Sequence, residues 1–187
     1  MDILLEKHFK SWIDNLSNIR DLSENTVISY KNDIQKFFDF LESHLDSSPN
    51  INNIKKLEIS DFRSFLSYQR NNGINSNSIA RNISSLKSFF NHLIKEEIIK
   101  SSAISSLKSP KLKKSLPRPI DSKLAIEVIR CAETMEKEKW VGLRNKSILM
   151  LLYGCGLRIS EALNLNYGDI DNEDHILIKG KGGKERI

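Results

Sequence analysis

Apolar positions recur every three or four residues through the N-terminal half of the chain, which is the spacing of amphipathic helices. Ile3, Leu4, Phe9, Trp12, Ile13 and Leu16 predict a first helix over residues 3–16. After "RDLSENT", where Ser23 is placed to cap, Val27, Tyr30, Ile34, Phe37, Phe38 and Leu41 predict a second, ending near "HLDSSPN". Ser60 and Asp61 open a third helix carrying Phe62, Phe65, Leu66 and Gln69, closed by "NNG" at 71–73. A fourth begins at "NSNS" and aligns Ile79, Ile83, Leu86, Phe90 and Leu93 on one stripe.

The pattern then changes. "SSLKSPKLKKSLPRPI", residues 105–120, holds Pro110, Pro117 and Pro119 with five basic residues and no acid. Proline removes helical hydrogen bonds and stiffens the chain, so this stretch reads as a basic linker. Beyond it, Asp121 caps a helix with Leu124, Ala125, Val128 and Ile129. "RNKSILMLLY" is apolar almost all round from Ile148 to Tyr153 and is expected to be buried; "GCG" at 154–156 stops it. "SEALNL" reads as a short helix, "GDI" and "HILI" as strands around "DNED", and "KGKGGKER" as a glycine-rich turn into a strand barely begun, with no partner strand expected. The chain thus divides into a helical domain at 1–105, a linker at 106–120, and a mixed region at 121–187. The first is expected to fold alone.

A chain of 187 residues with 39% hydrophobic residues is an ordinary globular sequence. It has no apolar run of the roughly 18 residues a membrane span needs and no basic, small-residue leader at its start. A mature, cytoplasmic protein is expected. Cys131 and Cys155 sit in apolar helical stretches and are expected to act as small hydrophobes; His8, His44, His92 and His175 lie apart, so no zinc spacing exists. A net charge of +5 and a pI of about 9.1 are compatible with a polyanion partner without requiring one.

Charge becomes informative on the fourth helix. Opposite its apolar stripe stand Arg81, Ser84, Ser85, Lys87, Ser88 and Asn91. Short hydroxyls and amides let a helix approach a phosphate backbone, and long cations neutralise it. A solvated face has the same periodicity. "GKGGKE" fails as a phosphate-cradling loop because Glu185 follows Lys184 and the glycine spacing is wrong; "DIDNED" fails as a calcium loop because Asp174 and Gly180 stand where Gly and Glu are required.

Two features remain. In "YGCGLRISEALNL", Arg158 follows a glycine-rich break, at the start of a helix with Glu161 three residues on. Lys181 sits at a hairpin tip flanked by Gly180, Gly182 and Gly183. An arginine fork and a hairpin lysine suit phosphoryl transfer without a metal: one stabilises charge on non-bridging oxygens, the other protonates a leaving alkoxide.

These stretches, in their order and spacing, resemble the Xer-type tyrosine recombinases of the phage-integrase superfamily from end to end. "LSENTVISYKNDIQKFFDFL" and "ISDFRSFLSYQRNNGINSNSIARNISSLKSFFNHL" are similar to the two halves of the family's core-binding domain, "SPKLKKSLPRPI" to its linker, "LRNKSILMLLYGCGLRISEALNLNYGDID" to the start of its catalytic domain and "IKGKGGKER" to its β-hairpin. The resemblance implies a mainly α chain: a helical SAM-like core-binding domain, then the N-terminal part of an α+β catalytic domain, the two forming a C-shaped clamp on duplex DNA. It implies Arg158 as the first catalytic arginine, Glu161 as the residue steadying it, and Lys181 as the lysine acting on the leaving 5′ oxygen. Thr26, Ser29, Arg81, Ser84, Lys87, Ser88, Lys184 and Arg186 are the candidate DNA contacts, chosen as polar positions on exposed faces.

The family cuts and rejoins DNA through a 3′-phosphotyrosyl link, with no ATP and no metal. Its intact members assemble on DNA as homo- or hetero-tetramers and have no membrane partner. Its second arginine, histidine motif and nucleophilic tyrosine are expected downstream of Ile187. Tyr30, Tyr68, Tyr153 and Tyr167 do not match the nucleophile, so this chain is expected to be an inactive fragment. A non-catalytic DNA-binding protein occupying recombination sites is the alternative.

Overall fold

The structure is a computed structural model describing residues 2–112, 119–169, 176–180 and 185–186, with the backbone alone for Tyr167, Lys179 and Arg186. It is mostly helical and separates into two compact units, residues 1–114 and 115–187.

In the first unit, α1 (Ile3–Asp14) runs into a single π-helical turn, Asn15–Ile19. It is followed by α2 (Glu24–His44), α3 (Ile51–Lys56), α4 (Ile59–Asn71) and α5 (Ser76–Lys95), with a 3-10 turn at Ala103–Ser106. The helix starts have identifiable chemistry. Asn75 accepts from Ser78 N at 2.9 Å to cap α5, and Asn50 accepts from Asn53 N at 3.0 Å to cap α3. At α4 the order differs from expectation: Glu58 is the N-cap, and Asp61, three positions on, accepts from Glu58 N at 2.8 Å. Helix α3 was not legible in the apolar pattern, since Ile51 and Ile54 give one turn too little signal.

The predicted stripes become one core. Ile34, Phe37, Phe38 and Leu41 of α2 meet Phe62 and Phe65 of α4 and Ile83, Leu86, Phe89 and Phe90 of α5, all 2% exposed or less. Aromatic rings interlock: Phe37 stacks on Phe62 at 5.5 Å and takes Phe65 edge-on at 5.1 Å, while Trp12 meets Phe89 edge-on at 5.4 Å. Ile104 and Leu107 are also buried in this core, which therefore passes the expected boundary at 105.

The second unit contains α6 (Ser122–Ala132), α7 (Lys139–Gly154), α8 (Ile159–Leu163), a 3-10 turn at Tyr167–Asp169, and strands β1 (Ile178–Lys179) and β2 (Glu185–Arg186). Asp121 caps α6, accepting from Lys123 N at 2.9 Å. Four expectations need correcting here. Helix α7 is not buried: Ile148, Leu151 and Leu152 pack on Leu157, Ala162 and Ile178, but Met150 and Tyr153 are about half exposed. Among the described residues of this unit, α6, α8 and Ile178 of β1 lie against it and leave one side of its apolar stretch open. Cys131 and Cys155 are exposed rather than packed. "GDI" begins in a 3-10 turn instead of a strand, because Asp169 folds back to accept from Asn166 N at 2.8 Å. The last strand does have a partner, since Ile178 pairs with Arg186 and Lys179 with Glu185, antiparallel. The "DNED" turn and the hairpin tip lie outside the described residues.

Candidate functional site

Helix α7 ends where Leu151 O accepts from both Cys155 N at 3.1 Å and Leu157 N at 3.4 Å. Gly156 turns the chain with φ +62°, a left-handed conformation that a side chain resists, and buried Leu157 anchors the far side of the turn. The next residue, Arg158, is the N-cap of α8 in extended conformation. The break thus delivers Arg158 to a helix start.

Glu161 holds it there with two bonds: Oε2 accepts from Arg158 N at 2.8 Å, and Oε1 accepts from Arg158 Nη1 at 2.8 Å. The Glu161 side chain is 5% exposed, whereas that of Arg158 is 71% exposed. A buried carboxylate requires charge-assisted partners, and a carboxylate in the first turn complements the helix dipole. The result is a guanidinium oriented from below with most of its surface open to solvent. Such a group can meet an oxyanion bidentately without first being ordered. Lys181 and Lys184 lie outside the described residues, and so does the Arg186 side chain.

The first unit places the remaining candidates on two helices packed against each other. Thr26 and Ser29 are half-buried on α2; Arg81 and Ser84 are exposed and Lys87 and Ser88 half-buried on α5. Several already have internal partners. The Thr26 and Ser23 hydroxyls share a hydrogen bond of 2.9 Å, and Ser84 Oγ donates back to Ala80 O at 3.0 Å. Ser88 Oγ accepts from Trp12 Nε1 at 3.2 Å and from Arg20 Nη1 at 3.1 Å.

Arg81 is the most committed. Its Nε and Nη2 donate to the two oxygens of Asp33, both at 2.9 Å, and Asp33 is 1% exposed. This fork raises the guanidinium pKa, with the hydrogen bond to Asp33 as the main cause. Ser85 Oγ donates to Asp33 at 3.3 Å, and Asn82, with its amide nitrogen turned to the carboxylate, donates at 2.8 Å. The periodicity places Arg81 on the polar face of α5 as a candidate DNA contact and does not show its ion pair. Asp33 gave no warning, because it lies on the apolar side of α2 and a pattern of apolar residues does not register a buried acid. Arg20, which reaches Ser88 from the end of the π turn, was missed because it lies in a break between helices.

Among the described residues no cluster of His, Cys, Asp and Glu has metal-holding geometry, and no helix is long and apolar enough to cross a membrane.

Residues 9–97 match the "Phage integrase, N-terminal SAM-like domain" family and residues 125–187 match the "Phage integrase family". Curated relatives include tyrosine recombinase XerC of Brucella suis biovar 1, 38% identical over 95% of this chain and 57% of that protein. XerC of Rickettsia typhi is 38% identical over 100% of this chain and 61% of its own length. XerC of Agrobacterium fabrum is 36% identical, over 100% of this chain and 59% of the relative. The chain thus spans somewhat more than half the length of these relatives.

In fold, the chain is similar to a lambda integrase tetramer bound to a Holliday junction, with a TM-score of 0.72 at 17% identity, covering 97% of this chain and 49% of that one. It is also similar to the Tn1549 transposon integrase in complex with circular intermediate DNA, with a TM-score of 0.61 at 20% identity, over 96% of this chain and 56% of that one. A SAM-like helical domain is followed by the first part of an integrase catalytic domain. On both family matches, in this order and over most of its length, the chain belongs to the phage integrase family.

Proposed function

We propose that this chain supplies the DNA-holding helical unit and the opening part of the active site of a site-specific recombinase, an enzyme of the kind its XerC relatives are named for. The substrate is duplex DNA, and the partners are further recombinase subunits assembled on it, of the same or of a second kind. The reaction is strand exchange for chromosome dimer resolution or for integration of a mobile element. A tyrosine oxygen attacks the scissile phosphorus, the 5′ oxygen leaves with a proton, and a 3′-phosphotyrosyl ester remains. The 5′ hydroxyl of a partner strand then attacks that ester and returns the proton and the tyrosine. The protein acts on chromosomal DNA in the cytoplasm.

The observation that carries this reading is Arg158, an exposed guanidinium clamped by the buried carboxylate of Glu161. Its role is to stabilise charge on the non-bridging oxygens as the phosphorus becomes five-coordinate. Glu161 is a positioning residue, and Lys181 the acid for the leaving 5′ oxygen. Thr26, Ser29, Arg81, Ser84, Lys87 and Ser88 form the DNA face of the helical unit, and Lys184 and Arg186 are further DNA contacts. Arg81 contributes there through the part of its guanidinium not held by Asp33.

Covalent trapping on a nicked duplex tests this. Protein from the uninterrupted reading frame of the gene, given its recombination site, is expected to form a covalent DNA adduct. Arg158→Ala is expected to bind the duplex but to form adduct about 10²–10³ more slowly, the usual cost of one lost oxyanion donor. Adduct formation at an unchanged rate in that variant would remove Arg158 from the chemistry. The 187-residue chain alone is expected to form none, because Tyr30 and Tyr68 are on helices of the first unit, Tyr153 is in the last turn of α7 and Tyr167 is in the 3-10 turn after α8, none of them at the place of the family's nucleophile.

A further inference from the structure

Between the π turn and α5 lies a cleft of about 350 Å³ whose lining includes Arg20, Ser88, Asn91, His92, Lys95 and Trp12. Among the described residues, no acidic one lines it. Arg20, Asn91 and Lys95 are exposed. They are also in register with the candidate face. Arg81, Ser84, Ser88, Asn91 and Lys95 recur at intervals of three and four along α5, a single stripe about 21 Å long at 1.5 Å per residue. The cleft lies at its C-terminal end.

Its hydrogen-bonding character is one-sided. Ser88 Oγ already accepts from Trp12 Nε1 and Arg20 Nη1, so both its lone pairs are used and its proton remains to be given. Arg20 and Lys95 bring donors and no acceptor. His92 lines the same cleft at 6% exposure, and its Nε2 has no hydrogen-bond partner among the described residues, an arrangement that is costly unless something completes it. A donor-rich, doubly cationic cleft beside a buried imidazole whose Nε2 has no partner among the described residues fits a ligand that offers acceptors and negative charge.

We propose that this cleft seats a backbone phosphate of duplex DNA, held by Arg20, Lys95 and the Ser88 hydroxyl. The proposal rests on the DNA-binding reading above and adds to it Arg20 and Lys95, which with the already named Ser88 make up one phosphate seat. A phosphodiester offers two non-bridging oxygens: a guanidinium and an ammonium neutralise it, and the serine proton reaches one oxygen. Phosphate contacts of this kind fix register on the duplex without reading sequence. Arg20 would therefore do two things, orienting Ser88 from within the protein and meeting the phosphate with its remaining donors.

The test is fluorescence anisotropy of a labelled duplex of arbitrary sequence with the full 187-residue chain over a series of salt concentrations. Arg20→Gln and Lys95→Gln are each expected to weaken binding about three- to tenfold, and the double variant to lower the slope of log K against log salt by about 0.9. Lys55→Gln, an exposed lysine of α3 away from the cleft, is the charge-matched control. Lys95→Gln keeps the test valid if Arg20→Gln disturbs the Ser88 hydrogen bonds, and thermal unfolding checks both variants.

If the cleft variants lose no more than Lys55→Gln, the seat is wrong while the DNA-binding reading stands. If the unaltered chain shows no duplex binding even at low salt, the reading and the seat fall together. If inorganic phosphate changes Trp12 fluorescence in a Trp140→Phe background and the duplex does not compete with it, the cleft is a free-anion site and the proposal is overturned.

Discussion

Asp33 is a carboxylate 1% exposed inside a helical unit, and Arg81, Ser85 and Asn82 all turn donors to it. Removing one partner of such a pair leaves an uncompensated charge. Arg81→Ala is expected to destabilise the first unit by about 2–3 kcal/mol, less than the roughly 3–5 kcal/mol of a wholly buried pair, because the Arg81 side chain is 44% exposed. Urea denaturation checks it. A loss below about 0.5 kcal/mol would mean that Arg81 serves the surface alone, as its exposed periodicity suggested. Arg81→Lys is not expected to restore stability, since a point charge cannot replace the two parallel bonds of the fork.

His92 makes a separate prediction at the same scale. Burial lowers its pKa from 6.5, the nearby Glu96 works in the opposite direction, and His8 and Lys95 lower it further. The unfolded chain therefore binds this proton more readily than the folded one. Stability is unaffected by His92 above pH about 6.5 and falls as pH drops below it towards the depressed folded-state value. Denaturation midpoints measured across that window should show the fall in the unaltered chain and a smaller one in His92→Gln. Equal slopes in the two would show that His92 titrates normally.

At the scale of elements, the apolar period placed α1, α2, α4 and α5 close to their observed positions, and the expected buried residues Ile79, Ile83, Leu86, Phe90 and Leu93 are 1% exposed or less. It did so because each helix buries one face against the others, so the pattern and the packing carry the same information. Where one face is not enough to define the environment, the reading failed. Residues Ile148–Tyr153 looked buried because they are apolar on every side, but the neighbours of α7 in its unit cover one side. Arg158 and Glu161 were legible for a local reason: a glycine break, a cap position and an acid three residues on are fixed by sequence separation alone. The partners of Arg81 and Arg20 lie 48 and 68 positions away and are not.

Gly142 makes a second element-level point. A Cβ added there would clash with the backbone carbonyl of Glu133, where the end of α6 meets α7. Neither atom is at the free end of a side chain, so the helices must separate. Gly142→Ala is expected to cost about 1–3 kcal/mol in the second unit, despite alanine's higher helix propensity. Thermal unfolding followed by the near-ultraviolet signal of Trp140 would report it. A stabilised variant would show that α6 and α7 are not held this closely.

For the whole molecule, two differently built units follow one another along the chain. The first has an interlocked aromatic core and keeps its polar stripe outward on α5; the second has a small core of Leu157, Ala162 and Ile178 and presents a clamped arginine. A net charge of +5 is distributed so that one end of that stripe opens into a cationic cleft. The proposed grip of this chain on the phosphate backbone of DNA is open to one direct measurement, its affinity for a duplex as salt is varied. Log K is expected to fall linearly with log salt, with a slope of several units at roughly 0.9 per phosphate neutralised. Undetectable binding at low salt, or affinity indifferent to salt, would contradict it.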